Sequence, residues 1–174
     1  NCLEICKKAE GGIVIHLAAD VGGIGYNKEH PYDLAYNNLI ISVNMINASL
    51  ETGVKKFVGV GTVCEYPKII DLPFREADLW KGYPEETNAP YGLAKRMLLV
   101  LGQAAHQQYG LNAIHILPVN LYGPGDNFEP ESSHVIPALV KKFTEGKEEV
   151  TIWGSGRATR EFLYVEDAAD AIVK

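Results

Sequence analysis

Tyr91 and Lys95 stand one helical turn apart in the run Tyr91-Gly92-Leu93-Ala94-Lys95, so a helix puts both side chains on one face. An ammonium beside a phenol favours the phenolate and draws its pKa down from about 10 toward neutrality. Such a tyrosine can give a proton to a substrate oxygen, or take one from it, while hydride moves at the attached carbon. A surface tyrosine beside a solvated lysine shows the same pattern, so the pair needs its context. Thr62 follows directly on the apolar run 56–60, and Pro90 immediately precedes Tyr91, as a sharp loop-to-helix entry requires. A strand-end hydroxyl and a helix-borne Tyr/Lys pair can then meet around one carbonyl.

The elements that must position these groups alternate between two periodicities. Short apolar runs at 13–17, 56–60, 113–117 and 150–153 read as strands, with a further short one at 162–165. Between them lie helical patterns at 33–52, with Leu39, Val43, Ile46 and Leu50 as its apolar stripe, and at 91–109. A third helix is expected at 135–144, led by Ser132-Ser133 as caps. Residues 1–10 read as the tail of a helix ended by Gly11-Gly12, and another helix begins at Glu166-Asp167. The glycine-rich stretch after residue 20 and the segment from 61 to 90, which holds Pro67, Pro73, Pro84 and Pro90, read as loops. Alternation of this kind predicts an α/β fold, a Rossmann-like doubly wound parallel sheet covered on both faces. Ligands of such sheets sit beyond the carboxyl ends of the strands. Three of those ends run into Ala18-Ala19-Asp20, Gly61-Thr62-Val63-Cys64 and Pro118-Val119-Asn120-Leu121.

Bulk properties narrow the field. The 174 residues suffice for one domain with a sizeable core. A net charge of −6 argues against a general attraction to nucleic acid. No apolar run approaches the roughly 20 residues of a membrane span. The cysteines, Cys2, Cys6 and Cys64, form no paired framework and no metal-ligand spacing, so no metal is expected and a reducing cytoplasm fits better than secretion. Both ends read as cut within helices.

Taken together, Val14-Ile15-His16-Leu17-Ala18-Ala19, the strand-end Thr62, Tyr91-x-x-x-Lys95 and Pro118-Val119-Asn120-Leu121-Tyr122-Gly123-Pro124 resemble the extended short-chain dehydrogenase/reductase family, the NAD-dependent epimerase/dehydratases. Other stretches resemble the subgroup that converts GDP-4-keto-6-deoxy-D-mannose to GDP-L-fucose. They are Val21-Gly22-Gly23-Ile24, the run from Asn120 to Phe128, the run from Ser133 to Leu139, Trp153-Gly154-Ser155-Gly156 and Arg160-Glu161-Phe162-Leu163. The resemblance covers almost the whole chain. It implies one partial NAD(P)-binding domain over 1–174, with 124–160 contributing to the substrate side, in a piece that lacks the first βαβ unit and most of the C-terminal substrate domain.

By that resemblance Thr62, Tyr91 and Lys95 are the hydroxyl, acid and lysine of a 4-keto reduction, Lys95 also holding the nicotinamide ribose. Cys64 and His134 correspond to the pair that exchanges protons at the carbons flanking the ketone during 3,5-epimerisation. Carbons alpha to a carbonyl are acidic, and inversion needs a base on one side and an acid on the other. Both residue types can fill either part near neutral pH. Taken alone, Cys64 would read as a small buried hydrophobe and His134 as a helix-start residue. The cofactor, NADP(H) with NAD as the alternative, would touch Leu17, Ala18, Ala19, Val60, Gly61, Thr62, Val63, Pro118, Val119, Asn120, Leu121 and His134 as well as Tyr91 and Lys95. Arg160 would hold the diphosphate of a nucleotide sugar, with Lys142 and Trp153 as further substrate contacts. Without the resemblance, Lys142 is a solvated helix face and Trp153 a core residue. A homodimer through the helices at 33–52 and 91–109 is expected on the same ground.

The chain departs from the subgroup in three places. Threonine replaces the usual serine at 62. Glu65 stands where an apolar residue is expected between Cys64 and Tyr66, with no reason visible in the sequence. No complete G-x-x-G-x-x-G follows a strand; Gly22-Gly23-x-Gly25 and Gly59-x-Gly61 lie in the wrong context. Residues 1–174 alone are therefore expected to bind NADP(H) weakly. Two other functions compete: a nucleotide-sugar 4-epimerase or 4,6-dehydratase with tightly held NAD, and a cofactor-sensing protein without chemistry. Val63-Cys64-Glu65 lacks the Asp-Glu pair usual in the dehydratases, and the retained Tyr91 and Lys95 speak against the sensor.

Overall fold

Three of the apolar runs become parallel neighbours in one sheet: β1 (Ile13–His16), β2 (Lys56–Val60) and β3 (Ala113–Ile116), in the order β1-β2-β3. The register pairs Val14 with Phe57 and Phe57 with Ala113, so all three strands deliver their carboxyl ends to the same edge. The computed structural model describes residues 1–130, 132–146, 149–152 and 154–174. Contacts divide the chain into two units, Asn1–Val21 with His30–Leu117 and Gly22–Glu29 with Pro118–Lys174.

In the first unit α1 (Cys2–Lys8) packs on α3 (Pro31–Thr52), and α3 packs along α4 (Ala89–Tyr109), which covers β2 and β3. Both long helices start with a proline in the first turn and end on a glycine in the left-handed region, Gly53 at φ 62° and Gly110 at φ 74°. Their interface and the sheet enclose Cys6, Val14, Met45, Ile46, Phe57, Leu98, Ala105 and Leu111. Burying a side chain such as Phe57 or Leu98 contributes about 2 kcal/mol.

The apolar stripe expected on α3 is only partly its buried face. Leu39 is exposed and Val43 and Leu50 are half-buried, while Leu34, Asn38, Ser42, Met45, Ile46, Ala48 and Ser49 are buried. Small and polar side chains can face the core here because each returns its hydrogen to the preceding turn: Asn38 to the Leu34 carbonyl, Ser42 to Asn38 and Ser49 to Met45, all at 2.7 Å. Coverage of the sheet is also less even than its apolar runs predict. Along β1, Val14 and His16 are buried while Ile13 and Ile15 are exposed.

The second unit holds α2 (Ile24–Glu29), β4 (Asn120–Tyr122), α5 (Val135–Thr144), β5 (Phe162–Tyr164) and α6 (Val165–Val173). β4 and β5 pair in parallel, Asn120 opposite Phe162 and Tyr122 opposite Tyr164. Gly123 is needed where it stands, because a Cβ there would lie 2.4 Å from Cγ1 of Val165 at the start of α6. Four expectations are corrected. Residues 24–29 are helix rather than glycine-rich loop. A strand forms at 120–122, directly after Pro118-Val119. Residues 150–152 form no strand, and Trp153 lies outside the described residues. Finally, α5 is capped by the extended backbone of His134 and not by serine, for the Ser132 hydroxyl is engaged by Asn127 Nδ2 at 2.9 Å. No helix among the described residues is long and apolar enough to cross a membrane.

Candidate active site

The chain leaves β2 through Gly61 and turns at once into a short 3-10 turn, Val63–Glu65. Thr62 caps that turn: its hydroxyl accepts from the Cys64 amide at 3.2 Å, and the Glu65 carboxylate accepts from the Thr62 amide at 2.9 Å. This reciprocal arrangement is a capping box, which the sequence Thr62-Val63-Cys64-Glu65 encodes directly. It fixes the backbone on both sides of the Thr62 hydroxyl.

Helix α4 presses against this turn. Gly92 lies so close to it that a Cβ would come within 2.3 Å of the Cys64 carbonyl oxygen. One residue earlier, Tyr91 is buried, with the Thr62 side chain near enough to its phenol to act on its ionisation. One helical turn later, the buried Lys95 ammonium donates to the Val60 carbonyl at 2.8 Å, at the carboxyl end of β2. Thr62, Tyr91 and Lys95 are thus gathered at one strand end as their types and spacing predict, with Cys64 two residues beyond Thr62 and Val60, Gly61 and Val63 forming the connecting backbone.

The electrostatics differ from the expectation. Burial, reinforced by Cys64 and Glu65, pushes the Tyr91 phenol well above its ordinary value, against the Thr62 hydrogen bond. The Lys95 ammonium is not among the groups that act on the phenol, and it is directed at the Val60 carbonyl. Lys95 itself is lowered by burial, opposed by the charge of Glu65. Burial raises the Cys64 thiol too, and the Thr62 hydrogen bond only partly offsets this. In this arrangement the Tyr91 phenol and the Cys64 thiol both keep their protons near neutral pH.

Beyond β1 the chain exposes Leu17 and Ala18, with Ala19 half-buried. The loop is held by α3: Asn38 exchanges two bonds with the Asp20 backbone, at 3.0 and 2.8 Å, and Asn37 donates to the Asp20 carboxylate at 2.8 Å. At the last residue of β1, His16 is buried with Nε2 lacking a partner among the described residues, and burial plus the Lys95 charge lower its pKa to about 4.

The remaining candidates belong to the second unit. His134 is exposed at the start of α5. Lys142 donates to the Thr151 carbonyl at 3.2 Å, and the exposed Arg160 to its neighbour Thr159 at 2.7 Å. Asn120 ties β4 to the segment before β5 by donating to the Glu161 carbonyl at 3.0 Å. Pro118 and Val119 are half-buried just before it, and Leu121 is exposed.

Residues not singled out by the sequence complete the first site. Arg96 donates to the Glu65 carbonyl oxygen and lies 5.2 Å from the Trp80 ring, and His115 on β3 meets the Glu65 carboxylate. Only the Thr-x-x-Glu pattern could have announced any of this; Arg96 and His115 reach the turn from elements distant in sequence.

A parallel sheet delivering a hydroxyl, a protonated phenol and a buried lysine to one strand end is the arrangement of a short-chain dehydrogenase/reductase, and residues 1–174 match the model of the NAD dependent epimerase/dehydratase family, to which this chain belongs. The chain is similar to a GDP-L-fucose synthase of Sinorhizobium fredii, 48% identical over 164 residues that cover 92% of this chain and 52% of that protein. Against an Escherichia coli protein of the same name it is 43% identical over 160 residues, 90% of this chain and 50% of the relative. Among solved structures, a GDP-L-fucose synthetase of Naegleria fowleri bound to NADP superposes with a TM-score of 0.89 at 33% identity, over 99% of this chain and 57% of that one. This chain spans about half the length of the curated relatives it matches.

Proposed function

We propose that the protein bearing this chain is an NADPH-dependent epimerase/reductase that converts GDP-4-keto-6-deoxy-D-mannose to GDP-L-fucose. The observation that carries the reading is the gathering of Thr62, Tyr91 and Lys95 at the end of β2, with the Cys64 thiol two residues on. Thr62 and Tyr91 bind the C4 oxygen, and Tyr91 delivers its proton there as the ketone is reduced. The raised phenol suits a donor that must hold its proton until charge develops on that oxygen. Cys64 and His134 exchange protons at C3 and C5 beforehand. Arg160, Lys142 and Trp153 bind the GDP-sugar.

The residues beyond β1 and β2 suit a dinucleotide: Leu17 and Ala18 offer an exposed apolar surface, and Lys95 carries a buried ammonium at the strand end. Leu17, Ala18, Ala19, Val60, Gly61, Val63, Tyr91 and Lys95 hold NADP(H) in this reading, and Pro118, Val119, Asn120, Leu121 and His134 are its further cofactor-binding residues. When bound, the cofactor supplies hydride. Residues 1–174 read as part of one NAD(P)-binding domain, with 124–160 on the substrate side.

A cytoplasmic homodimer completes the reading. It is supported by aromatic and apolar residues exposed on α3 and α4, among them Tyr32, Tyr36, Met97 and Tyr109. Sedimentation of the full-length protein should give a dimer; a monomer at micromolar concentration would remove that part. The activity is tested by incubating the full-length protein with the keto sugar and NADPH and following cofactor oxidation. Turnover supports the reading. Retention of tightly bound NAD through purification, without consumption of NADPH, would replace it by a 4-epimerase or dehydratase.

A further inference from the structure

Glu65 is an acid at a position where the fold has no solvent. It is fully buried, and every polar group of the residue that the described structure pairs is turned to one task. Its carboxylate accepts the Thr62 amide at 2.9 Å and faces Nε2 of His115 with both oxygens, at 3.0 and 3.1 Å. Its carbonyl oxygen takes the Arg96 guanidinium from α4, one residue past Lys95. Gly61 is the space this arrangement occupies, since a Cβ there would lie 2.1 Å from Glu65 Oε1 and 2.3 Å from His115 Nε2. The turn bearing Thr62 and Cys64 is thereby fastened to β3 through His115 and to α4 through Arg96. The second imidazole nitrogen, Nδ1, is buried with no partner among the described residues, so the hydrogen belongs on Nε2, where an acceptor waits.

We propose that Glu65 and His115 act as a positioning pair for the reaction: the imidazole, hydrogen on Nε2, holds the Glu65 carboxylate, and the carboxylate holds the Thr62 amide so that the Thr62 hydroxyl is aimed at Tyr91. This rests on the reductase reading for its substrate, although the geometry does not. The charge of Glu65 has a secondary effect, opposing ionisation of Tyr91 and Cys64 and favouring the ammonium of Lys95. A buried polar pair is weak evidence of a stabilising role, since well-packed apolar replacements of such pairs are often neutral or stabilising. What an apolar pair cannot supply is an acceptor for the Thr62 amide.

The test uses the full-length protein, with unsubstituted turnover of GDP-4-keto-6-deoxy-D-mannose and NADPH as the reference. In the double variant Glu65→Leu/His115→Phe, kcat should fall roughly tenfold or more, with KM for the nucleotide sugar within about twofold and the melting temperature not lowered. Glu65→Gln retains an acceptor for the amide and should keep kcat within about threefold of the unsubstituted protein. Unaltered kcat in the double variant, or equal loss in both variants, would overturn the proposal. Should the double variant fail to fold, Glu65→Met takes its place and is judged on kcat and KM alone, since it leaves the His115 Nε2 hydrogen unpaired. If the unsubstituted protein instead reduces another nucleotide sugar, the substrate reading falls and the same comparison is made on that sugar. Independent of any turnover, imidazole 15N shifts of His115 should report hydrogen on Nε2; hydrogen on Nδ1 would overturn the proposal.

Discussion

Lys95 on α4 donates its ammonium to the Val60 carbonyl at 2.8 Å, which couples the helix carrying Tyr91 to the end of the strand carrying Thr62. The bond places a buried cation at the carboxyl end of β2, the edge at which parallel sheets receive their ligands. Replacing Lys95 by Met removes both the cation and its bond to that carbonyl. It should raise KM for NADPH and lower kcat together, by at least about tenfold in kcat/KM. An unchanged kcat/KM would separate Lys95 from the site.

Tyr91→Phe removes only the phenol oxygen. Reduction should fall by about 10²-fold or more, the usual worth of a positioned proton donor, with little change in melting temperature near neutrality. The raised phenol adds an alkaline signature. The folded protein holds this proton more firmly than the unfolded chain, so the contribution is complete below the unfolded value of 10.0 and is lost as pH rises beyond it toward the folded value. Unfolding titrations should therefore show a shallower alkaline loss in Tyr91→Phe than in the parent; identical curves would contradict the burial of this group.

His16 makes the opposite prediction on the acid side. Its folded value of about 4 lies below the ordinary histidine value of 6.5, so the unfolded chain takes up a proton first as pH falls. Stability is present above about pH 6.5 and declines through the window down to about 4, by on the order of 3 kcal/mol. His16→Leu should weaken this dependence, read from denaturant unfolding at several pH values. An equal slope in both proteins would refute it.

Two glycines of α4 should respond to alanine in opposite ways. At Gly92 a Cβ would meet the Cys64 carbonyl at 2.3 Å, whereas at Gly102 its nearest neighbour is the Ala113 Cβ at 3.5 Å. Gly92→Ala should cost about 1–3 kcal/mol and lower kcat by displacing the Thr62 turn. Gly102→Ala should be neutral or stabilising by up to about 1 kcal/mol, as helix propensity dictates. Thermal melts and kcat of the two variants decide; similar behaviour would mean that the turn does not rest on α4.

The parts legible in the sequence were those written in local pattern. The strands at β1, β2 and β3, the proline-led α4 and the Tyr91/Lys95 face all follow from periodicity and capping within one segment. Where distant partners decide, the reading failed. Leu39 lost its expected place to Asn38 and Ser42 because α4 and the loop at Asp20 select the buried face of α3. β4 is three residues long and is defined by β5, far along the chain. Glu65 is explained only by His115 and Arg96, which come from β3 and α4. The four-residue spacing predicts that Lys95 lowers Tyr91, but burial of the phenol, with Cys64 and Glu65 beside it, prevails.

The measurement closest to the central claim follows the sugar by NMR while the full-length protein acts on GDP-4-keto-6-deoxy-D-mannose with NADPH in heavy water. Deuterium should enter at C3 and C5 as cofactor is oxidised, and Cys64→Ser should suppress the deuterium while Tyr91→Phe suppresses the oxidation. Reduction without deuterium would remove Cys64 and His134 from the chemistry. Neither deuterium nor oxidation with the unsubstituted protein would contradict the assignment of this substrate.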